Sequence, residues 1–248
     1  MLGTYHLNAL FDILRELHFI YDPAKLWDFV LEKASQTVQA EAGTFFEMSA
    51  DEAFLKVGAS YGMDKNRLGE VPFRVGSGIC GWVAQYKQPA LVNDVRQDNR
   101  FNKGVDILTG FNTRSILCVP VFTSNRQYGV LEALNRKSGP FSPQDQEFMT
   151  ILGRQTAIAY QNLLLIAEVS HSKILLESLV GSLTGGLVAM NASEAVTIIN
   201  PAAVRMLKLE PNPLRPIGLN RCLPTLESFR LRLWIIKNNQ MRLLAEIP

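Results

Sequence analysis

Residues able to do chemistry are few and scattered. Three histidines (His6, His18 and His171) and three cysteines (Cys80, Cys118 and Cys222) lie far apart along the chain. Neither a His-Glu-x-x-His helix nor a Cys-x-x-Cys pair is present, so the sequence supplies no ligand set for zinc or an iron–sulfur cluster. No Gly-x-Ser-x-Gly elbow or phosphate-binding loop occurs either, which leaves no hydrolase nucleophile or nucleotide cradle to assign. His171, in Val169-Ser170-His171-Ser172-Lys173, lacks the acidic and proline neighbours of a phospho-accepting histidine and reads as a solvated linker residue. The cysteines read as buried thiols of a reducing compartment. The most telling polar constellation is Asn135-Arg136 followed by Phe141 and Asp145.

The elements that must position these residues follow from caps and periodicity. Asp22-Pro23, Ser142-Pro143 and Asn200-Pro201 each pair a capping side chain with proline at the first helical position. Asp145 stands three residues after Ser142, a capping-box spacing. Ahead of the first start, Leu7, Leu10, Phe11, Leu14 and Leu17 share a helical face; after it, Leu26, Phe29, Val30, Ala34 and Val38 do so. Two hairpins are expected, from residues 44–48 with 54–61 and from 116–123 with 128–135. Between them, residues 62–114 hold short helices near 78–86 and 103–108 and a small strand at 90–92. An insert of that length suggests a cover over a pocket. From Ser142 to Leu179 a helix of more than 30 residues is expected. Along it Ile158, Asn162, Leu165, Val169, Ser172, Leu176 and Leu179 step by four and three, the spacing of a dimer seam. Further on come strands at 187–190 and 195–199, a helix from Pro201 to Leu209, a proline-rich loop, an amphipathic helix at about 225–237 and a strand at 241–247.

Composition sets the outer bounds. The chain has 248 residues, 47% apolar and 19% charged, enough for one large or two small domains with ordinary cores. Its net charge is only +2, with no basic cluster, which argues against nucleic acid or a membrane surface as partner. No signal peptide or membrane span is visible, so a cytoplasmic location is expected.

Four segments together resemble the GAF domain family over residues from about 5 to 170. They are Val75-Gly76-Ser77-Gly78-Ile79-Cys80-Gly81-Trp82-Val83-Ala84, Leu91-Val92-Asn93-Asp94-Val95, Thr113-Arg114-Ser115-Ile116-Leu117-Cys118-Val119-Pro120-Val121 and Tyr128-Gly129-Val130-Leu131-Glu132-Ala133-Leu134-Asn135. After residue 174, Gly185-Gly186-Leu187-Val188-Ala189-Met190, Val196-Thr197-Ile198-Ile199 and Asn200-Pro201-Ala202-Ala203 resemble the start of a PAS domain. The resemblance implies an α+β architecture. A GAF sensory domain would occupy 1–170, with an antiparallel sheet, helices on both faces and the long helix 142–179 as linker. A PAS domain, incomplete at its C-terminus, would occupy 180–248.

The GAF resemblance also implies a small-molecule cavity under the irregular segment. Haem would need an axial histidine there, and the three histidines fall on flanking helices. A bilin would need a cysteine with a different neighbour than Gly81 or Val119. A cyclic nucleotide is compatible, since Asn135-Arg136 and Phe141-x3-Asp145-Gln146 are similar to the Asn-Lys and Phe-x3-Asp-Glu of cyclic-nucleotide-binding members; the similarity implies a salt bridge between Arg136 and Asp145 that latches the last strand to the long helix, a structural tie rather than a ligand contact. The cofactor therefore stays open. Strand parity nominates Phe46, Ser115 and Leu117 as cavity residues. The insert nominates Ile79, Cys80, Trp82, Val83, Val92, Phe111 and Thr113, with Asp94, Arg96 and Arg114 as polar anchors. A sulfoxide reductase of this family would need clustered roof cysteines, which Cys80 and Cys118 do not provide. The expectation is a non-catalytic sensory and dimerisation module of a bacterial two-component or related signalling protein. It would bind a small molecule, pair with itself and act on a downstream histidine kinase or transcription activator. The competing expectation is a ligandless dimerisation scaffold.

Overall fold

A computed structural model describes residues 2–17, 19–69, 71, 73–190, 196–206, 232–237 and 240–246. Two units divide the chain, Met1–Ile166 and Ala167–Pro248.

The first unit is built on one sheet. Helices α1 (Thr4–Leu17) and α2 (Pro23–Thr37) lead into β1 (Ala40–Met48) and β2 (Phe54–Tyr61), followed by α3 (Lys65–Gly69) and β3 (Phe73–Arg74). Then come α4 (Gly78–Tyr86), β4 (Ala90–Val92), a 3-10 turn (Val95–Gln97) and α5 (Lys103–Thr109). Strands β5 (Ile116–Phe122) and β6 (Gln127–Arg136) complete the sheet, and α6 (Pro143–Ser182) follows. The strand order is β3-β2-β1-β6-β5-β4, with every neighbouring pair antiparallel.

Each face of the sheet has its own core. On the helix side, Leu26, Val30 and Leu31 of α2 meet Phe45, Leu117, Val119 and Leu131 of the strands and Phe148 and Leu152 of α6. Trp27 stacks on Phe45 with ring centroids 3.7 Å apart. On the roof side, Phe46, Ile116, Cys118, Val130 and Leu134 meet Ile79, Cys80 and Val83 of α4. Burial on both faces explains why β5 and β6 read as continuous apolar runs rather than alternating ones.

The caps close the helices as their chemistry requires. The Asp22 carboxylate accepts from Ala24 N–H at 3.0 Å. The Asp145 carboxylate accepts from Ser142 N–H at 2.7 Å while the Ser142 hydroxyl accepts from Asp145 N–H, a reciprocal capping box. In α1 the buried residues are Leu10, Ile13 and Leu17, whereas Leu7 and Phe11 are 41% and 59% exposed. The apolar arc of α1 is wider than the face it buries, so the expected set of five was displaced.

The second unit contains the rest of α6, β7 (Val188–Met190), β8 (Val196–Ile199), α7 (Pro201–Met206), β9 (Arg232–Lys237) and β10 (Gln240–Glu246). Asn200 organises its start. Its side-chain carbonyl accepts from Leu187 and Ala203 N–H, and its amide donates to the Gly185 carbonyl. The helix expected at about 225–237 is overturned for its last part, because 232–237 is strand and pairs antiparallel with β10. The β-branched and aromatic run Trp234-Ile235-Ile236 outweighs the helical spacing there. The loop expected around Pro211, Pro213 and Pro216, and Cys222, lie outside the described residues. Among the described residues no helix is long and apolar enough to cross a membrane.

Candidate functional site: a roofed cavity above the sheet

A cavity of about 70 Å³ lies between the roof side of the sheet and the segment 63–113. One water needs roughly 10–15 Å³ on this kind of measure, so the space admits several waters or a ring-sized molecule. Its floor is Phe46 of β1, Ile116 of β5 and Glu132 and Leu134 of β6; its walls include Ile79 and Cys80 of α4 and Phe73 of β3. Phe101, Val105, Asp106 and Phe111 close it from above.

Gly81 is what lets α4 come close enough to form a wall. A Cβ at this position would stand 2.3 Å from the Arg74 carbonyl oxygen. Helix α5, the lid of the cavity, is held differently: none of its side chains is fully buried. Its Asp106 carboxylate accepts from Thr113 N–H at 2.9 Å and from the Thr113 hydroxyl at 2.6 Å, which fastens the lid to the loop leading into β5.

Glu132 is the unexpected member. It is 8% exposed, and among the described residues no group donates a hydrogen bond to its carboxyl. Burial, reinforced by the nearby Asp106 charge, pushes its pKa up to about 8. Burial and the Glu132 charge also raise the Cys80 and Cys118 thiols, which leaves both un-ionised and unreactive as nucleophiles.

The cavity brings together Phe46, Ile79, Cys80, Phe111 and Thr113 from the nominated set. The remaining nominated residues fall elsewhere. Leu117 is fully buried on the opposite, helix-side face, because a period of two puts Ile116 rather than Leu117 over the cavity. Ser115 is off the cavity lining, and its hydroxyl accepts from Arg136 N–H. Val83 and Val92 are roof core without cavity contact, and Trp82 lies beneath the Arg100 guanidinium instead. Asp94 pairs with Arg96, which is 80% exposed, on the outer rim. The Arg96 guanidinium holds the Asp94 carboxyl down at about 2. Arg114 reaches outward to Glu41 at 2.7 Å and, with Asn135, lowers the Glu41 pKa.

Below the cavity, β6 ends in the constellation singled out by the sequence. Asn135, with φ of 54°, accepts from Arg114 N–H at 2.6 Å and donates to Glu41 and to the Asn112 carbonyl. Arg136 Nε lies 3.6 Å from the buried Asp145 carboxylate, which also bonds His6 Nε2 at 2.9 Å. Phe141 is buried, and its backbone exchanges two hydrogen bonds with the Asn93 side chain. Strand β6 thus carries Glu132 on the cavity floor and, four residues on, the arginine tied to the first turn of α6.

A sequence profile described as GAF domain matches residues 21–161, more than half of the chain. The chain belongs to the GAF domain family. Within its GAF domain lie every strand of the six-stranded sheet and the whole roof. A dual 3',5'-cyclic-AMP and -GMP phosphodiesterase 11A of Takifugu rubripes is 35% identical over 116 residues, covering 44% of this chain and 13% of that protein. The chain therefore spans about an eighth of the length of that curated relative. Among solved structures, the GAF domain of an Acinetobacter phosphoenolpyruvate-protein phosphotransferase superposes with a TM-score of 0.56 at 18% identity, over 66% of this chain and 98% of that one. The A. Aeolicus nlh2 GAF domain, described as in an inactive state, gives a TM-score of 0.52 at 18% identity, over 63% of this chain and 96% of that one. These two likenesses speak to the GAF fold alone.

Sequence reasoning missed Glu132 although a signal was there. It is the one charged residue in Val130-Leu131-Glu132-Ala133-Leu134, on the same parity as Val130 and Leu134. Among the described residues no three His, Cys, Asp or Glu side chains converge as a metal site. His6 is engaged by Asp145 and His171 is exposed on α6, while His18 lies outside the described residues.

Proposed function

We propose that this GAF domain is the small-molecule-binding, sensory part of a bacterial signal-transduction protein, acting by binding rather than by catalysis in the cytoplasm. The carrying observation is the roofed cavity, whose floor holds a buried carboxyl without a protein partner and whose lid carries no fully buried residue. A ligand larger than a single ring requires α5 to lift, and any ligand that favours one lid position shifts the lid equilibrium by its differential affinity. Strand β6 is the route to the output, since Glu132 and Arg136 share it and Arg136 pairs with Asp145 of α6. Coupling of this kind is typically worth ~1–3 kcal/mol.

Helix α6 then serves as the dimer seam. Ile158, Asn162, Leu165, Val169, Leu176 and Leu179 are all exposed, at heptad spacing, along a helix of 40 residues. The strand–strand–helix order after residue 186, with Asn200 capping α7, supports the reading of a PAS domain after the GAF domain. A histidine kinase or transcription activator further along the signalling path would receive the output. A cyclic nucleotide is one candidate ligand, in keeping with the named relative that acts on cyclic AMP and cyclic GMP. Native mass spectrometry of protein purified from its host tests the proposal. A dimer carrying a small molecule is expected; a ligand-free dimer would instead favour the scaffold role, and a ligand-free monomer would defeat both.

A further inference from the structure

One polar group on the cavity floor, and a second beside it on the same face of the sheet but off the cavity lining, lack hydrogen-bond partners among the described residues. One is the Glu132 carboxyl, which lines the cavity and receives no hydrogen bond among the described residues. The other is Thr44 of β1, fully buried with an unpartnered Oγ1. The two residues are direct cross-strand partners, and such pairs hold their Cβ atoms ~4.5–5.5 Å apart on one face of a sheet. Native interiors satisfy nearly all buried polar groups, because an orphan keeps its full desolvation cost. A floor selected for packing alone would continue the pattern of Val130 and Leu134, the residues of β6 on either side that share this face.

We propose that Glu132, with Thr44 beside it, is the recognition point of the cavity for a ligand that presents an N–H donor edge, as an amidine, guanidine or amino-heterocycle does. This inference rests on the reading of the cavity as a ligand site. The surroundings of Glu132 leave a donor as the missing partner. Asp106 of α5 brings a second carboxyl, and its two oxygens are already engaged by Thr113. Cys118 of β5 and Cys80 of α4 offer only un-ionised thiols. Arg74 of β3 is the one basic residue among the lining residues, and its guanidinium lies outward over the Phe54 ring. An anionic head group at the floor would meet two carboxyls and no free cation, whereas a planar N–H edge can bond both carboxyl oxygens at once. Burial keeps the Glu132 carboxyl largely protonated at pH 7. A cationic amidine would displace that proton to solvent, so its affinity would rise with pH. A neutral amino-heterocycle would bond the acid form, with no proton released.

The test is calorimetric titration of the full chain with benzamidine, 2-aminopyrimidine and benzoate, alongside melting curves of wild type and E132L. At least one of the two N–H ligands is expected to bind at least tenfold more tightly than benzoate, and E132L is expected to lose that preference while melting at a higher temperature. Affinity that increases between pH 6 and pH 8.5 marks the amidine as the chemistry recognised; affinity that holds to about pH 7 and then falls as the carboxyl ionises marks the neutral heterocycle. Should E132L not fold, T44V reads the same site with a severalfold loss. Equal binding of benzoate, unchanged binding by E132L, or a lower melting temperature for E132L would overturn the inference. The host's own small molecule distinguishes the two levels. If native mass spectrometry finds it on wild type and E132L alike, the cavity remains a ligand site and Glu132 is no part of its recognition. If it is on neither, with no probe bound, the cavity reading itself fails.

Discussion

Glu132 illustrates how a single side chain can trade stability for a binding capacity. Its folded pKa, near 8, stands above the ordinary carboxylate value near 4.5. The folded state therefore holds this proton more tightly than the unfolded chain. The associated stability is complete below about pH 4.5 and is lost as pH rises toward 8. Wild type is expected to lose on the order of a few kcal/mol between pH 5 and pH 8.5, read as a falling urea midpoint, and E132Q to lose far less. Parallel profiles for the two proteins would show that the carboxyl ionises freely in the fold. Asp145 is the opposite case, a buried carboxylate fully engaged by Ser142, His6 and Arg136. D145A removes the carboxylate that faces the half-buried Arg136, caps α6 and bonds His6, and should cost about 3 kcal/mol in denaturant unfolding, with D145N costing less. A loss under ~1 kcal/mol for D145A would mean that the latch is not structural. The Ser142–Asp145 cap was legible from its spacing, and the Arg136–Asp145 latch from the similarity of these residues to a family motif. Glu132 went unread because periodicity arguments look for apolar residues, and a lone charge in an apolar run carries its meaning by exception.

At the scale of elements, what was legible depended on how one-sided each element is. Helix α4 and strand β4 were placed at their observed bounds, since glycine, proline and short apolar runs punctuate them. Strand β5 kept its position but lost its parity. Every residue from Ile116 to Val121 is buried, so the sequence holds no alternation from which a face can be chosen. The short β3 and α3 were not seen at all; two paired residues and five helical ones give no periodic signal. The packing of α4 gives an element-level prediction. G81A places a methyl against the Arg74 carbonyl, and the helix must shift to accept it. The expected cost is about 1–3 kcal/mol in thermal or denaturant unfolding, with faster amide exchange in α4 and β3. An unchanged midpoint would show that α4 has room to move, and the cavity wall would then be softer than the packing implies.

For the molecule as a whole, the proposal joins a cavity to a helix. Ile158, Asn162, Leu165, Val169, Leu176 and Leu179 stand exposed on α6, and the proposed second copy would cover them. The double variant I158E/L165E is expected to sediment as a monomer while retaining the circular dichroism of wild type. A dimer that survives both charges would place the interface elsewhere.

Hydrogen exchange read by mass spectrometry, with and without the ligand that accompanies the protein from its host, tests the central claim most directly. The account predicts slower exchange in α5, where the lid closes, and a concurrent change in the first turns of α6 around Asp145, reached through β6. Protection confined to the roof, with α6 exchanging identically in both states, would contradict it.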